Sequence, residues 1–183
     1  MLNSPSRPLL LAILLAYLVA LAGCDSHLPS KAPSMAPRPV PVSSPQLSQA
    51  RTLLIQGNHR RAADLYRQTL DSYPGSVPAY IGIAQASLRL GDFPAAIAAC
   101  TTGLQRDSTA LELFNLLAAA YSGTGRYALA IETLEQCLHH HPDFDLGHVN
   151  IGGMYGKLGH YQEAEKHLLI ARGLNPDNSV THR

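Results

Sequence analysis

Four glycines recur at a fixed interval of 34 residues, and other residue types recur in phase with them. The glycines are Gly57, Gly91, Gly125 and Gly159. Two residues later stand His59, Phe93, Tyr127 and Tyr161, and five residues later stand Ala62, Ala96, Ala130 and Ala164. Seventeen residues later stand Pro74, Ser108, Pro142 and Pro176. A fixed period of about 20 to 50 residues predicts an array of stacked, similar units.

Each unit reads as a pair of helices. The glycine permits the turn, the alanine lets the two helices approach closely, and the proline ends the second helix. Ser44 and Pro45 predict the start of the first helix, as N-cap and first helical residue. One pair cannot bury its apolar face alone, so neighbouring pairs are expected to share a core. The predicted core positions are Tyr66, Tyr80, Ile83, Ala84, Phe114, Leu117, Ala118, Tyr121, Leu134, Ile151, Gly152, Tyr155 and Leu168.

This recurrence of glycine, aromatic, alanine and proline resembles the tetratricopeptide repeat (TPR) over residues 43–178. The resemblance implies an all-α fold, a right-handed α-solenoid of four helix-turn-helix repeats. Their predicted bounds are 43–76, 77–110, 111–144 and 145–178, followed by a tail at 179–183. Gln46 and Gln49 replace large apolar residues, which predicts a polar outer face on the first repeat.

The first 23 residues predict an export signal, because thirteen consecutive apolar residues follow Arg7. A signal core needs roughly 7 to 15 apolar residues, whereas a membrane-spanning helix needs about 20. The sequence LAGC at 21–24 resembles the lipobox of bacterial lipoproteins, which implies cleavage before Cys24 and its acylation with palmitate or similar chains. An uncleaved anchor and an ordinary cleavage site remain alternatives. Asp25 resembles an inner-membrane retention signal, and an outer-membrane location stays open.

Residues 24–42 predict a linker between the lipid and the folded part. They contain five prolines and few core-forming residues. Proline fixes φ and removes amide donors, so a semi-rigid extended tether of roughly 60 Å is expected. The folded part would then face the periplasm from a lipid anchor.

Composition and motifs argue against several function classes. Lys and Arg number 14 against 13 for Asp and Glu, which gives no basic field for nucleic acid. No GxSxG, HExxH or phosphate-binding loop occurs, so we expect no enzyme, no catalytic residues and no cofactor. His139 to His141 could suggest a metal, but consecutive helical residues point about 100° apart, and we expect none. An unrecognised catalytic site is the remaining alternative.

Two cysteines remain beside Cys24. Cys100 and Cys137 fall at packing positions of second helices. An exported protein can form disulfides, but a bridge needs Cα atoms within about 7 Å. Two buried thiols are favoured, and a bridge stays open.

The resemblance implies that a concave face, formed by the first helices, binds a peptide or partner protein. The residues mapped to this groove are Arg51, Gln85, Arg89, Asn115, Asn150 and Lys157. An amide both donates and accepts, so an asparagine can take the place of a strand neighbour. The small residues Gly82, Ala119, Gly123, Gly153 and Gly156 are expected to leave room for a guest. The carboxylate clamp for chaperone tails is not reproduced.

Leu169 and Ile170 stand on the last helix where repeats commonly carry charges, and no closing helix follows in the sequence. They predict an association surface. Two functions stay open: a non-catalytic adaptor in the bacterial cell envelope, as in pilus, secretion or envelope assembly, and a self-associating structural element.

Overall fold

The computed structural model describes residues 44–176. They form eight α-helices and contain no β-strand. The helices are α1 (Pro45–Ile55), α2 (His59–Ser72), α3 (Val77–Leu90), α4 (Phe93–Leu104), α5 (Leu111–Gly123), α6 (Tyr127–His140), α7 (Asp145–Leu158) and α8 (Tyr161–Leu174). The predicted all-α solenoid of helix pairs is confirmed.

The four periodic glycines form the corners within the pairs. Gly57, Gly91, Gly125 and Gly159 have φ between +74° and +81°, and no other described residue has a positive φ. This left-handed conformation carries a steric cost for a residue with a Cβ. The 34-residue period therefore reflects one backbone requirement that is met four times.

Side-chain caps fix where several helices begin. The Ser44 hydroxyl accepts a hydrogen bond from the Leu47 amide at 3.1 Å, and Pro45 is the first residue of α1. Ser76 and Asp92 accept equivalent bonds at the starts of α3 and α4. Each satisfies an amide that has no partner inside its helix.

Small and apolar side chains fill the space between the pairs. The alanines five residues after the corners are buried in all four pairs. One core cluster centres on Tyr66, Ile83, Leu113 and Leu117, and a second on Ile131, Leu134, Ile151 and Met154. Among the predicted core residues, Tyr80, Tyr121, Tyr155 and Leu168 are half-buried.

The first helix presents a polar outer side. α1 buries Leu47 and Ala50, while Gln46 and Gln49 are exposed. Amides in water keep their hydrogen bonds to solvent, so these two side chains remain exposed at little cost, although Ile55 at the end of α1 is also 79% exposed. The structure thus agrees with the predicted polar cap.

Candidate functional site

The face lined by the first helices carries two adjoining recesses. One, of about 630 Å³, contains Arg51, Gln85 and Glu112. The other, of about 690 Å³, contains Gln85 and Arg89. Both are also lined by Leu54 and Ile55 of α1. Three of the six predicted groove residues, Arg51, Gln85 and Arg89, therefore border one continuous depression.

Aliphatic side chains form much of the lining. Leu54, Ile55, Leu88 and Leu116 line the larger recess, and Ile55 is 79% exposed. Covering aliphatic surface releases about 25 cal/mol per Å². A partner that places an apolar side chain here would gain binding free energy.

A hydrogen bond and mixed charges shape the polar side of the depression. The Gln85 amide donates to a Glu112 carboxylate oxygen at 2.7 Å, which joins α3 to α5. Burial raises the pKa of the Tyr66 hydroxyl; nearby Arg51 lowers this pKa and Glu112 raises it. The sequence pattern did not indicate Glu112 as part of the site, although it lies 27 residues after Gln85, in α5, which is the first helix of the following pair.

His59 adds a polar atom without a partner. Its Nδ1 is buried and forms no hydrogen bond to another described residue, while the side chain lines the larger recess. A buried polar atom without a hydrogen bond is costly. The sequence pattern indicated only that this position is aromatic.

The remaining predicted groove residues lie further along the stack. Asn150 Nδ2 donates to Asn115 Oδ1 at 3.0 Å, which links α7 to α5. Lys157 lies apart from this pair, with its ammonium 5.3 Å from the centre of the Tyr127 ring. The six predicted residues thus form a group of three, a pair and a single cation.

The prediction of free space beside the small residues is wrong at two positions. A Cβ on Gly82 would lie 2.2 Å from the Tyr66 ring, and one on Gly123 would lie 2.2 Å from the Phe93 ring. These aromatic rings already fill the space that a guest was expected to use. Beside Gly153 and Gly156 a Cβ would meet nothing within 4 Å, and Ala119 lines the larger recess, so the expected space remains beside these three residues.

The predicted association surface on α8 is exposed. Leu169 is 48% exposed and Ile170 is 38% exposed. A recess of about 300 Å³ is lined by Tyr161, Ala164, Glu165, Leu168, Leu169 and Arg172. Leu169 belongs to this lining and Ile170 does not.

The three consecutive histidines at the end of α6 each contact a different neighbour. His140 stacks on Phe114, and a ring nitrogen of His141 contacts the Thr109 carbonyl oxygen. His139 meets the edge of the His140 ring. Within residues 44–176 no group of three or more metal-binding side chains converges on a common point.

Cys100 and Cys137 are separate, buried thiols. Burial raises the pKa of Cys100 to about 12 and also raises the pKa of Cys137. A thiol with a raised pKa forms little of the reactive thiolate. Their position fits packing within the second helices.

The predictions for the amino-terminal segment fall outside the described residues. These are the signal at 1–23, the lipidation of Cys24, the Asp25 signal and the whole linker at 24–42. From residue 44 to residue 176, no helix has the length and apolar content to cross a bilayer.

Sequence comparison identifies a known family. Residues 47–110 match one model of the Tetratricopeptide repeat, and residues 111–138 match a second model of the same repeat. The two matches are contiguous and together span just over half of the 183 residues.

Solved structures of similar fold agree with this match. The crystal structure of MamA protein has a TM-score of 0.67 at 22% identity, covering 73% of each chain. MamA from Desulfovibrio magneticus RS-1 has a TM-score of 0.67 at 18% identity, covering 74% of this chain and 76% of that one. A thermophilic TPR protein of Thermus thermophilus has a TM-score of 0.62 at 23% identity, covering 74% of this chain and 75% of that one. At these identities the likeness shows the fold.

Proposed function

Because the chain belongs to the tetratricopeptide repeat family, whose members generally act as protein-interaction modules, we propose that it is a non-catalytic adaptor. It binds an extended segment of a partner protein on the face of its first helices. The observation that carries this proposal is the pair of adjoining recesses along α1, α3 and α5.

The lining supports a segment that combines apolar and hydrogen-bonding groups. An apolar side chain of the partner covers Leu54, Leu88 and Leu116. Arg51 and Arg89 offer cationic donors at the two recesses. Asn115 and Asn150 retain amide donors and acceptors beyond their mutual bond, which can pair with the backbone of an extended chain.

Affinity capture from cell-envelope extracts tests this proposal. Arg89→Glu and Asn150→Ala are compared with Arg106→Glu, which makes the same charge change at an exposed residue outside both recesses. We expect the two groove variants to lose partners that the unmodified protein and Arg106→Glu retain. Identical captured proteins in all four samples would refute groove binding. Circular dichroism serves to show that every variant remains helical.

We further propose that the adaptor is a lipoprotein of the bacterial envelope. The support is the apolar run before LAGC, and the prolines of residues 24–42 provide the reach from a membrane. Several acyl chains on Cys24 would anchor the protein, because one chain alone gives only marginal membrane binding. Asp25 favours the inner membrane. The partner would then be a periplasmic protein or a membrane protein with a part exposed to the periplasm.

Membrane fractionation tests the anchor separately from the groove. Cys24→Ser should move the protein from the membrane to the soluble fraction and abolish incorporation of a labelled fatty acid. Cys100→Ser is the matched control, because that thiol is buried in α4. Membrane retention of Cys24→Ser would refute the lipid anchor and leave the groove proposal intact.

A second candidate function is a self-associating structural element of an envelope complex. The exposed apolar residues of α8, notably Leu169 at 48%, favour it. Leu169→Glu combined with Ile170→Glu should then reduce the molecular mass in solution to that of a monomer, while the groove variants leave the mass unchanged.

A further inference from the structure

The outward side of α8 carries Leu168 and Leu169 between two charges, Glu165 and Arg172. Tyr161, Leu168 and Arg172 follow helical spacing, with Glu165 on the same side. Tyr161 is 72% exposed and Leu169 is 48% exposed. This side lines the recess of about 300 Å³ and is open in the described part of the chain.

The internal repeat shows what kind of element covers such a surface. Residues 34 positions earlier on α6 are Tyr127, Ala130, Ile131 and Leu134. Ile131 and Leu134 are at most 6% exposed, because they share a core with Ile151 and Met154 of α7. Leu168 is therefore the equivalent of a residue that another helix covers, whereas Glu165 stands in the place of Ile131 and Leu169 in the place of the exposed Glu135.

The first helix of a second copy does not provide that helix. The residues of α1 that correspond to Ile151 and Met154, 102 positions earlier, are Gln49 and Thr52. Both are exposed. A head-to-tail arrangement would bury the Gln49 amide against Leu168, which costs free energy unless the amide finds hydrogen bonds, whereas the Thr52 hydroxyl already donates to the Ser48 carbonyl oxygen. The two ends of the stack are thus not complementary to each other.

The outward side of α8 is instead complementary to itself. Glu165 and Arg172 lie at equal distances, in sequence, from the midpoint between Leu168 and Leu169. They are seven residues apart, about 10 Å along a helix, so they do not pair within one α8. Neither forms an ion pair with another residue in 44–176.

We propose that α8 packs antiparallel against α8 of a second copy around a two-fold axis near Leu168 and Leu169. In this arrangement the leucines of the two copies cover each other. Glu165 faces the partner's Arg172, and the symmetry forms this ion pair twice, as an isologous interface requires. The inference specifies the geometry of the self-association candidate and holds whether or not the groove binds a peptide.

Charge exchange on the full-length protein tests the geometry. Sedimentation equilibrium in detergent micelles at pH 8 gives the dimer dissociation constant. Glu165→Arg alone places like charges opposite each other twice, and so does Arg172→Glu alone. Each should weaken the dimer by about tenfold or more. The double variant Glu165→Arg/Arg172→Glu restores opposite charges and should recover most of the affinity.

Cysteine cross-linking supplies a second measurement that does not depend on charge. Leu169→Cys places a thiol beside the proposed axis, where mild oxidation should join two copies. Leu129→Cys is the control, because Leu129 of α6 is exposed to a similar degree, at 40%, but belongs to a different surface. It should cross-link much less.

Several outcomes overturn the inference. An unmodified protein that stays monomeric would do so, and so would equal dissociation constants for the single and double charge variants. A dimer that Leu169→Glu disrupts but the charge variants leave unchanged would retain self-association and refute the antiparallel arrangement. Arg89→Glu should leave the dissociation constant unchanged, which separates this test from failure of groove binding.

Discussion

Asn150 donates a hydrogen bond to Asn115 at 3.0 Å, so two amides from successive first helices are joined on the face proposed to bind a partner. Both residues are half-buried. The bond uses one donor of Asn150 and one acceptor of Asn115 and leaves further hydrogen-bonding groups on each amide. The pair can therefore stabilise the junction between helix pairs and still contact a peptide backbone.

A double-mutant cycle should measure the contribution of this bond to stability. Asn115→Ala, Asn150→Ala and the double variant should give a coupling free energy of about 1 kcal/mol in urea denaturation, as expected for a neutral hydrogen bond. Additive effects of the two single changes would show that the amides do not interact in solution.

Stability should depend on pH through His148 and His167. Their Nδ1 atoms lie 3.0 Å apart between α7 and α8. This contact needs one nitrogen with a hydrogen and one without, so protonation of both rings breaks it. Burial lowers the pKa of His148; burial, His148 and Lys166 lower the pKa of His167. Tyr155 also packs against the His167 ring.

These lowered pKa values determine the direction in which stability changes with pH. Below the ordinary histidine pKa of about 6.5, the unfolded chain binds protons that the folded chain does not, so stability falls with decreasing pH. The free energy of unfolding should therefore be lower at pH 5.5 than at pH 8. His167→Gln should reduce this difference, whereas the control His139→Gln, on α6, should keep it. An equal pH dependence in both variants would contradict the assignment.

Two glycines with opposite surroundings offer a matched test of packing. Gly82→Ala places a methyl group against the Tyr66 ring and should destabilise the fold by about 1 to 3 kcal/mol. Gly153→Ala meets nothing within 4 Å inside α7 and should stabilise it by about 0.5 to 1 kcal/mol. Thermal denaturation of both variants measures the difference, and similar melting temperatures would contradict the described packing.

The buried thiols should be protected from reagents. With its pKa raised to about 12, Cys100 should react with a thiol reagent only after unfolding, and Cys137 should behave similarly. Titration in buffer and in urea, with the mass of each product, checks this. Rapid modification in the folded state would show that the second helices open readily, and absence of two free thiols in urea would indicate a bridge.

The fold could be predicted because one sequence period encodes one backbone conformation. Each periodic glycine adopts a positive φ, and each following alanine lies in the space between two helices. The start of α1 could be predicted from Ser44 and Pro45 for the same reason, since these residues act on their own backbone. Local requirements of this kind leave a direct trace in the sequence.

Contacts between helices could not be predicted in the same way. Glu112 meets Gln85, and Tyr66 fills the space beside Gly82, because of how the helices of successive pairs pack against each other. His148 and His167 meet for a similar reason, although they are 19 residues apart. The sequence indicates which residues lie on one helix face, but not which side chain of the next helix reaches them.

The identical corners have a consequence for how this protein can change in length. Every corner repeats the same left-handed glycine after 34 residues, so the backbone at each corner is compatible with a further repeat of the same length. Adding or removing one 34-residue repeat would add or remove one helix in the row of first helices. The polar side of α1 and the exposed leucines of α8 would remain as they are, so the length of the proposed binding face and the chemistry of α1 and α8 could change separately.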